Sequence, residues 1–361
     1  MKYFIIAGET SGDLHAGNLV QEISKLDENA IFKGVGGDCM QRNNVDLLFG
    51  LDRLSFMGFV EVLLHIITIF RNFRAVKKSI LAFQPDVVIL VDYPGFNLRM
   101  AKWCKQKGFK VAYYISPTIW AWHESRVETI KKYVDLMLCV LPFEPAFYEN
   151  HQYLKSHFVG HPLLDAIDTY DRKNQSKINL DKKNKCIALL PGSRKQELEK
   201  LLPIFTAVAQ HFPNEHFVLS GITRLTTMYP VSMPKNMSIL YDDMYGILAD
   251  AKAAVVCSGT ATLETALFNI PQVVVYKTAW LNYVIGRCMA KVQFISLPNL
   301  IVQRKIVEEL IQSDCTTSKC VVELQQLLQH SNTKQYDVMM EKIGEKGASK
   351  NAANLIYSLV A

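Results

Sequence analysis

Two short glycine-containing turns stand where an apolar run hands over to a helix. Gly8-Glu9-Thr10-Ser11-Gly12-Asp13 follows Tyr3 to Ala7, and Ser258-Gly259-Thr260-Ala261-Thr262-Leu263-Glu264 follows Ala253 to Cys257. A strand-to-helix turn aims backbone N–H groups and the positive end of a helix dipole at whatever lies above the sheet, so it seats a phosphate or a sugar. A third turn, Leu190-Pro191-Gly192-Ser193-Arg194, closes another apolar run, and a guanidinium placed there grips a phosphate through its planar fork. A surface arginine beside a turn is the competing reading; a second phosphate-compatible turn in the same half favours the ligand. Glu264, in the opening turns of its helix, is placed to accept from both hydroxyls of a ribose, or is a helix-start acid favoured by the dipole alone.

Asp92 follows Val87 to Val91 and precedes Tyr93-Pro94-Gly95. A carboxylate at the carboxyl end of a buried strand is partly desolvated, which raises its pKa towards the working range of a general base. Capping of the next helix is the alternative role, and Glu9, Asp13 and His15 remain alternative bases. Trp120 and Trp122, in a loop after a strand, either pack or line a sugar or acyl site. The chain has no Gly-x-x-x-x-Gly-Lys-Ser/Thr loop, and the adjacent Asp242-Asp243 pair has weak metal-site value. No metal and no cofactor is expected, so a departing diphosphate has to be stabilised by helix dipole and arginine.

These residues need rigid elements to hold them. Apolar runs at Tyr3 to Ala7, Ile31 to Val35, Val87 to Val91, Lys110 to Ile115 and Leu136 to Leu141 alternate with helix-like stretches. The pattern returns at Cys186 to Leu190, His216 to Leu219, Ala253 to Cys257 and Val273 to Tyr276. Near-continuous apolar runs mark strands buried on both faces, hence α/β architecture with parallel sheets. The polar stretch 169–185 reads as a linker between a first domain, 1–168, and a second, 186–334; the tail 335–361 reads as helices returning to the first. A length of 361 residues suits two such domains. A net charge of +6 fits an anionic ligand or membrane surface and is too weak to argue for nucleic acid. Eight scattered cysteines without metal spacing read as reduced thiols of a cytoplasmic protein, and the apolar run after Lys2 is too short for a signal peptide.

One stretch stands apart. In Phe56 to Phe70 the polar residues Glu61, His65 and Thr68, continued by Asn72, form one narrow helical stripe. The remaining arc, including Phe59, Val62, Leu63, Ile66, Ile67, Ile69 and Phe70, is apolar, and Arg71, Arg74, Lys77 and Lys78 follow. A helix of this kind lies in a membrane interface, or packs in a core with its stripe solvated; it is too short to span a bilayer.

Taken in order, AGETSGDLHAG, the GVGG run ending at Met40, FMGFVEVL, VDYPGFNLR, YYISPTIWAW with Arg126, LPFEPAFY, FVGHPLLD, LLPGSRKQE, SGTATLE and SLPNLI resemble the lipid-A-disaccharide synthase family, from about Ala7 to about Gln312. The resemblance implies an inverting glycosyltransferase of the GT-B fold, two Rossmann-like parallel-sheet domains facing a cleft. It further implies transfer of 2,3-diacylglucosamine from its UDP derivative to 2,3-diacylglucosamine 1-phosphate, giving a β(1→6) disaccharide and UDP. Asp92 then matches the acid that serves as base, and Arg194 the arginine near the donor diphosphate. Ser193, Ser258, Gly259, Thr260, Glu264 and Asn299 fall on the donor side; Glu9, Ser11, Gly12 and Asp13 form the acceptor-domain turn. The same likeness tips the Phe56 to Phe70 helix towards acyl chains and the anionic inner face of a Gram-negative cytoplasmic membrane, and leaves a homodimer open. His123 and Lys277 depart from the residues common at their positions. An epimerase of the same architecture accounts for the phosphate turns but not for the apolar helix; a lipid-binding protein without activity accounts for that helix but not for Arg194 and Glu264.

Overall fold

The computed structural model describes residues 1–53, 66–170, 185–280, 283–284, 287 and 292–361. It divides into two compact units, Met1–Asp165 with Glu345–Ala361, and Ala166–Gly344.

In the first unit β1 (Lys2–Ala7), β2 (Ile31–Val35), β3 (Asp46–Leu47), β4 (Val87–Val91), β5 (Lys110–Tyr114), β6 (Leu136–Cys139) and β7 (Ser156–Phe158) form one sheet, ordered β3-β2-β1-β4-β5-β6-β7. All its pairings are parallel. Every residue from Tyr3 to Ala7 and from Val87 to Val91 is inaccessible, the signature of strands covered on both faces. Ala7 pairs with Val91, and Val91 with Tyr114. The turns that follow these strands therefore emerge side by side.

The second unit repeats the design with β8 (Cys186–Leu190), β9 (Phe217–Gly221), β10 (Met237–Tyr241), β11 (Ala251–Cys257), β12 (Gln272–Tyr276) and β13 (Glu308–Ile311), ordered β10-β9-β8-β11-β12-β13. Val256 pairs with Leu190 and Cys257 with Val275, so the loops after β8 and β11 also start as neighbours.

The tail divides between the units. Helix Tyr336–Ile343 belongs to the second, where the Tyr336 hydroxyl donates to Ile270 O at 3.2 Å. Helix Ala348–Val360 belongs to the first: Asp165 accepts from the N–H of Gly347 at 2.6 Å and Ser349 at 3.0 Å, satisfying donors that a helix start leaves open. The described cysteines are unbridged thiols.

Candidate functional site

In the first unit, Asp92 and Tyr93 leave β4 with φ of 44° and 50°, two consecutive non-glycine residues in the left-handed region. Strain of this kind costs on the order of 1 kcal/mol per residue and persists where surrounding contacts over-determine it. Those contacts are present. The Asp92 N–H donates to Tyr114 O at 2.9 Å, and its carbonyl accepts from Tyr113 Oη at 2.6 Å and Asn97 Nδ2 at 2.8 Å. Helix Pro94–Gln106 is N-capped by Tyr93 with no side-chain bond, so Asp92 is not its cap.

The Asp92 carboxyl is half-buried, and its pKa is pushed up to about 7 by desolvation first and by the nearby Glu9 carboxylate second, with the Tyr93 N–H opposing. The Tyr93 ring lies against the β1 turn so closely that a β-carbon on Gly8 would stand 2.4 Å from it. Glycine at position 8 lets the Asp92 loop and the Glu9 turn meet.

Asp13 has a different task from the one expected of it. Its carboxylate is buried and accepts from the N–H groups of Gly37 at 2.6 Å, Cys39 at 2.9 Å and Met40 at 3.2 Å, bracing the start of helix Asp38–Arg42. Of that turn, Thr10 and Ser11 are exposed, Glu9 is half-buried and Gly12 is buried. His15 is also buried, and burial lowers its pKa to about 4, so it is neutral at physiological pH.

Glu144, not anticipated as a site residue, is fully buried and ties two neighbouring loops together. It accepts from Val140 N at 3.1 Å, Leu141 N at 3.0 Å and Trp120 Nε1 at 3.2 Å, and burial raises its pKa to about 7. Trp120 is thereby anchored, while Trp122 is half exposed and packs on His123.

In the second unit, Arg194 is the N-cap residue of helix Lys195–His211, and its guanidinium is largely exposed. The Ser193 and Arg194 N–H groups donate to Glu197. The neighbouring start is different. Helix Thr260–Leu267 begins at Gly259, has no side-chain cap among the described residues, and leaves Gly259 and Thr260 exposed. Ser258 Oγ donates to Ile295 O at 2.9 Å, fixing the turn. Glu264 is buried with its pKa raised by desolvation, and Tyr245 Oη donates to its Oε1 at 2.8 Å.

Asn299, expected on the donor side, has its amide engaged within the chain. Its Oδ1 accepts from Ile306 N at 2.7 Å and Val307 N at 2.9 Å, and its Nδ2 donates to Val307 O at 3.0 Å and Glu309 Oε1 at 2.8 Å. An amide has two donors and two acceptor positions; all are engaged, so Asn299 shapes the loop before β13.

Phe59, Val62 and Leu63 lie outside the described residues. Helix Ile66–Phe83 is described, though the side chains of Ile66 and Ile67 are not. Here Asn72, from the polar stripe, is buried and donates to Arg53 O at 2.6 Å, whereas Phe70 is 68% exposed and Arg71, Arg74 and Lys78 are exposed. No helix among the described residues is long and apolar enough to cross a membrane, and no group of three or more metal-ligating side chains occurs among them.

Solved structures share this architecture. The UDP-GlcNAc 2-epimerase from Neisseria meningitidis bound to UDP-GlcNAc superposes with a TM-score of 0.68 at 12% identity, covering 99% of both chains. The glycotransferase of kitacinnamycin gives 0.69 at 12%, over 99% of this chain and 98% of that one. The fold is thus the GT-B type, two Rossmann-like parallel-sheet units. Within it, the lipid-A-disaccharide synthetase family model matches residues 3–357. The lipid-A-disaccharide synthase of Geobacter sulfurreducens is 34% identical over 374 aligned positions, 99% of this chain and 97% of that protein. The chain belongs to the lipid-A-disaccharide synthetase family, and is a glycosyltransferase.

Proposed function

We propose that this chain transfers 2,3-diacylglucosamine from UDP to the 6′-hydroxyl of 2,3-diacylglucosamine 1-phosphate, inverting the anomeric centre and releasing UDP. Family membership across nearly the whole chain carries the overall reaction. The assignment of residues rests on the chemistry of each loop.

Asp92 acts as base. A carboxyl with a pKa near 7 is half ionised at neutral pH and takes up a proton as the hydroxyl attacks. The leaving diphosphate is held by the Arg194 guanidinium and the uncapped start of helix Thr260–Leu267, and the ribose by the free side of Glu264. Trp122 contributes apolar surface for the acyl chains.

Membrane contact is assigned to helix Ile66–Phe83. Its polar stripe turns inward at Asn72 while Phe70 and three cationic side chains face solvent, an arrangement suited to the anionic inner membrane surface. Replacing Ile69 and Phe70 by Ser is expected to release the protein from anionic vesicles; undiminished binding removes this assignment.

UDP release tested with and without acylated acceptor decides the reaction. Release that depends on the acylated acceptor is expected. Epimerisation of a soluble UDP-sugar, or release indifferent to the acceptor, would sink the reading.

A further inference from the structure

Glu197 lies three residues into the helix that Arg194 caps, and folds back over its start. Its Oε2 accepts from the N–H of Ser193 at 3.0 Å and of Arg194 at 3.1 Å, while its Oε1 stands 3.5 Å from Arg194 Nη1. Gly192, at φ 93°, makes room for this: a β-carbon there would be 2.2 Å from Glu197 Oε2 and 3.3 Å from Cys257 Sγ. A larger residue there would push the Glu197 carboxylate off its amides, besides being strained at that φ. The amides that a phosphate would use thus already carry an anion, and the Arg194 side chain is 63% exposed with its guanidinium beside the same carboxylate.

We propose that Glu197 is the positioning residue for Arg194. It closes this helix start to phosphate and fixes the loop from which the guanidinium reaches the donor diphosphate. Recognition at this loop runs through the side chain and not through the backbone. The proposal rests on the donor-side reading of Arg194 above.

The two carboxylate oxygens have separate roles, which makes the idea testable. Because Oε2 alone holds both amides, Glu197→Gln keeps the loop: the amide oxygen accepts from Ser193 and Arg194, while its NH2, a donor like the guanidinium, gives up only the long contact made by Oε1. Glu197→Ala frees both amides and releases the loop.

UDP binding to the full-length chain is measured by calorimetry, with melting temperature and donor kcat and KM recorded alongside. Glu197→Ala is expected to weaken UDP binding about tenfold, with donor KM following, while Glu197→Gln stays within about twofold of the parent. Where alanine is too unstable to measure, Glu197→Asp, one methylene short of the amides, takes its place with the same expectation. Tighter UDP binding in Glu197→Ala would mean that the carboxylate only stands in for phosphate. Unchanged affinity with a lowered melting temperature would reduce it to a helix cap, and a tenfold loss in Glu197→Gln would remove the division of roles; each overturns the proposal. Arg194→Ala separates the two levels. If it binds UDP normally, the donor-side reading falls as well; if it loses UDP while Glu197→Ala does not, only this inference falls.

Discussion

The two units carry opposite chemistry at the carboxyl edges of nearly identical parallel sheets. The first gathers carboxyl groups, Glu9, Asp13, Asp92 and Glu144, and burial holds two of them near pKa 7. The second presents an exposed guanidinium at Arg194 and an uncapped helix start at Gly259. A parallel sheet supplies position, and the loop residues decide whether that position takes up a proton or holds an anion. Acids occur in the second unit too, but Glu197 and Glu264 are tied to neighbouring donors there. An acid acts as base only where its surroundings leave it half-protonated and reachable.

The contrast breaks most directly at Asp92. Asp92→Asn is expected to lower kcat about 10²- to 10⁴-fold with donor KM little changed. In the parent, kcat/KM should climb as pH rises through about 7, because the ionised form is the active one. A variant with near-normal turnover, or a parent profile flat from pH 5 to 8, on the order of one unit or more either side of the midpoint, would remove Asp92 as base.

In the second unit a charge tells an open helix start from a closed one. Thr260→Asp should weaken UDP binding about tenfold by setting a carboxylate where phosphate is to sit, whereas Gln196→Asp, on the helix start that Glu197 closes, should change it less than about twofold. Equal losses would mean that the two starts do not differ in function.

Smaller effects sharpen the picture within the first unit. Asp13→Asn removes a carboxylate oxygen from backbone donors and should cost about 1–3 kcal/mol in denaturant unfolding while kcat of the folded enzyme stays put. A fall in kcat like that of Asp92→Asn would make Asp13 the base instead. Glu9→Gln should shift the acid limb of the pH profile down by less than about one unit, since it removes a like charge but leaves Asp92 desolvated. An unmoved limb would take Glu9 out of the tuning of Asp92.

The central strands were readable from the chain because each is an unbroken apolar run buried on both faces. The strands that went unread, β3, β7, β10 and β13, are the outer strands of the two sheets. With one neighbour and more exposure they mix polar with apolar residues, as in Glu308–Ile311, so no continuous run announces them. Two predicted runs also ended early: Ile115 takes φ 66°, and the N–H groups of Val140 and Leu141 turn to Glu144.

Local order along the chain determined the α/β class, the strand-to-helix turns and the positions of Asp92, Arg194 and Glu264, because strand period, glycine and apolar runs act over a few residues. Glu197, three residues after the N-cap, had a capping-box spacing that could have been read. Only the folded structure decided what each polar group faces. Asp13 braces a helix start 24 to 27 residues away, Asn299 is saturated by the loop before β13, and Tyr245 reaches Glu264 across 19 residues. Hydrogen-bond partners and desolvation are set by neighbours in space, and a carboxylate becomes a brace or a base according to whether those neighbours satisfy its charge or leave it poised to change.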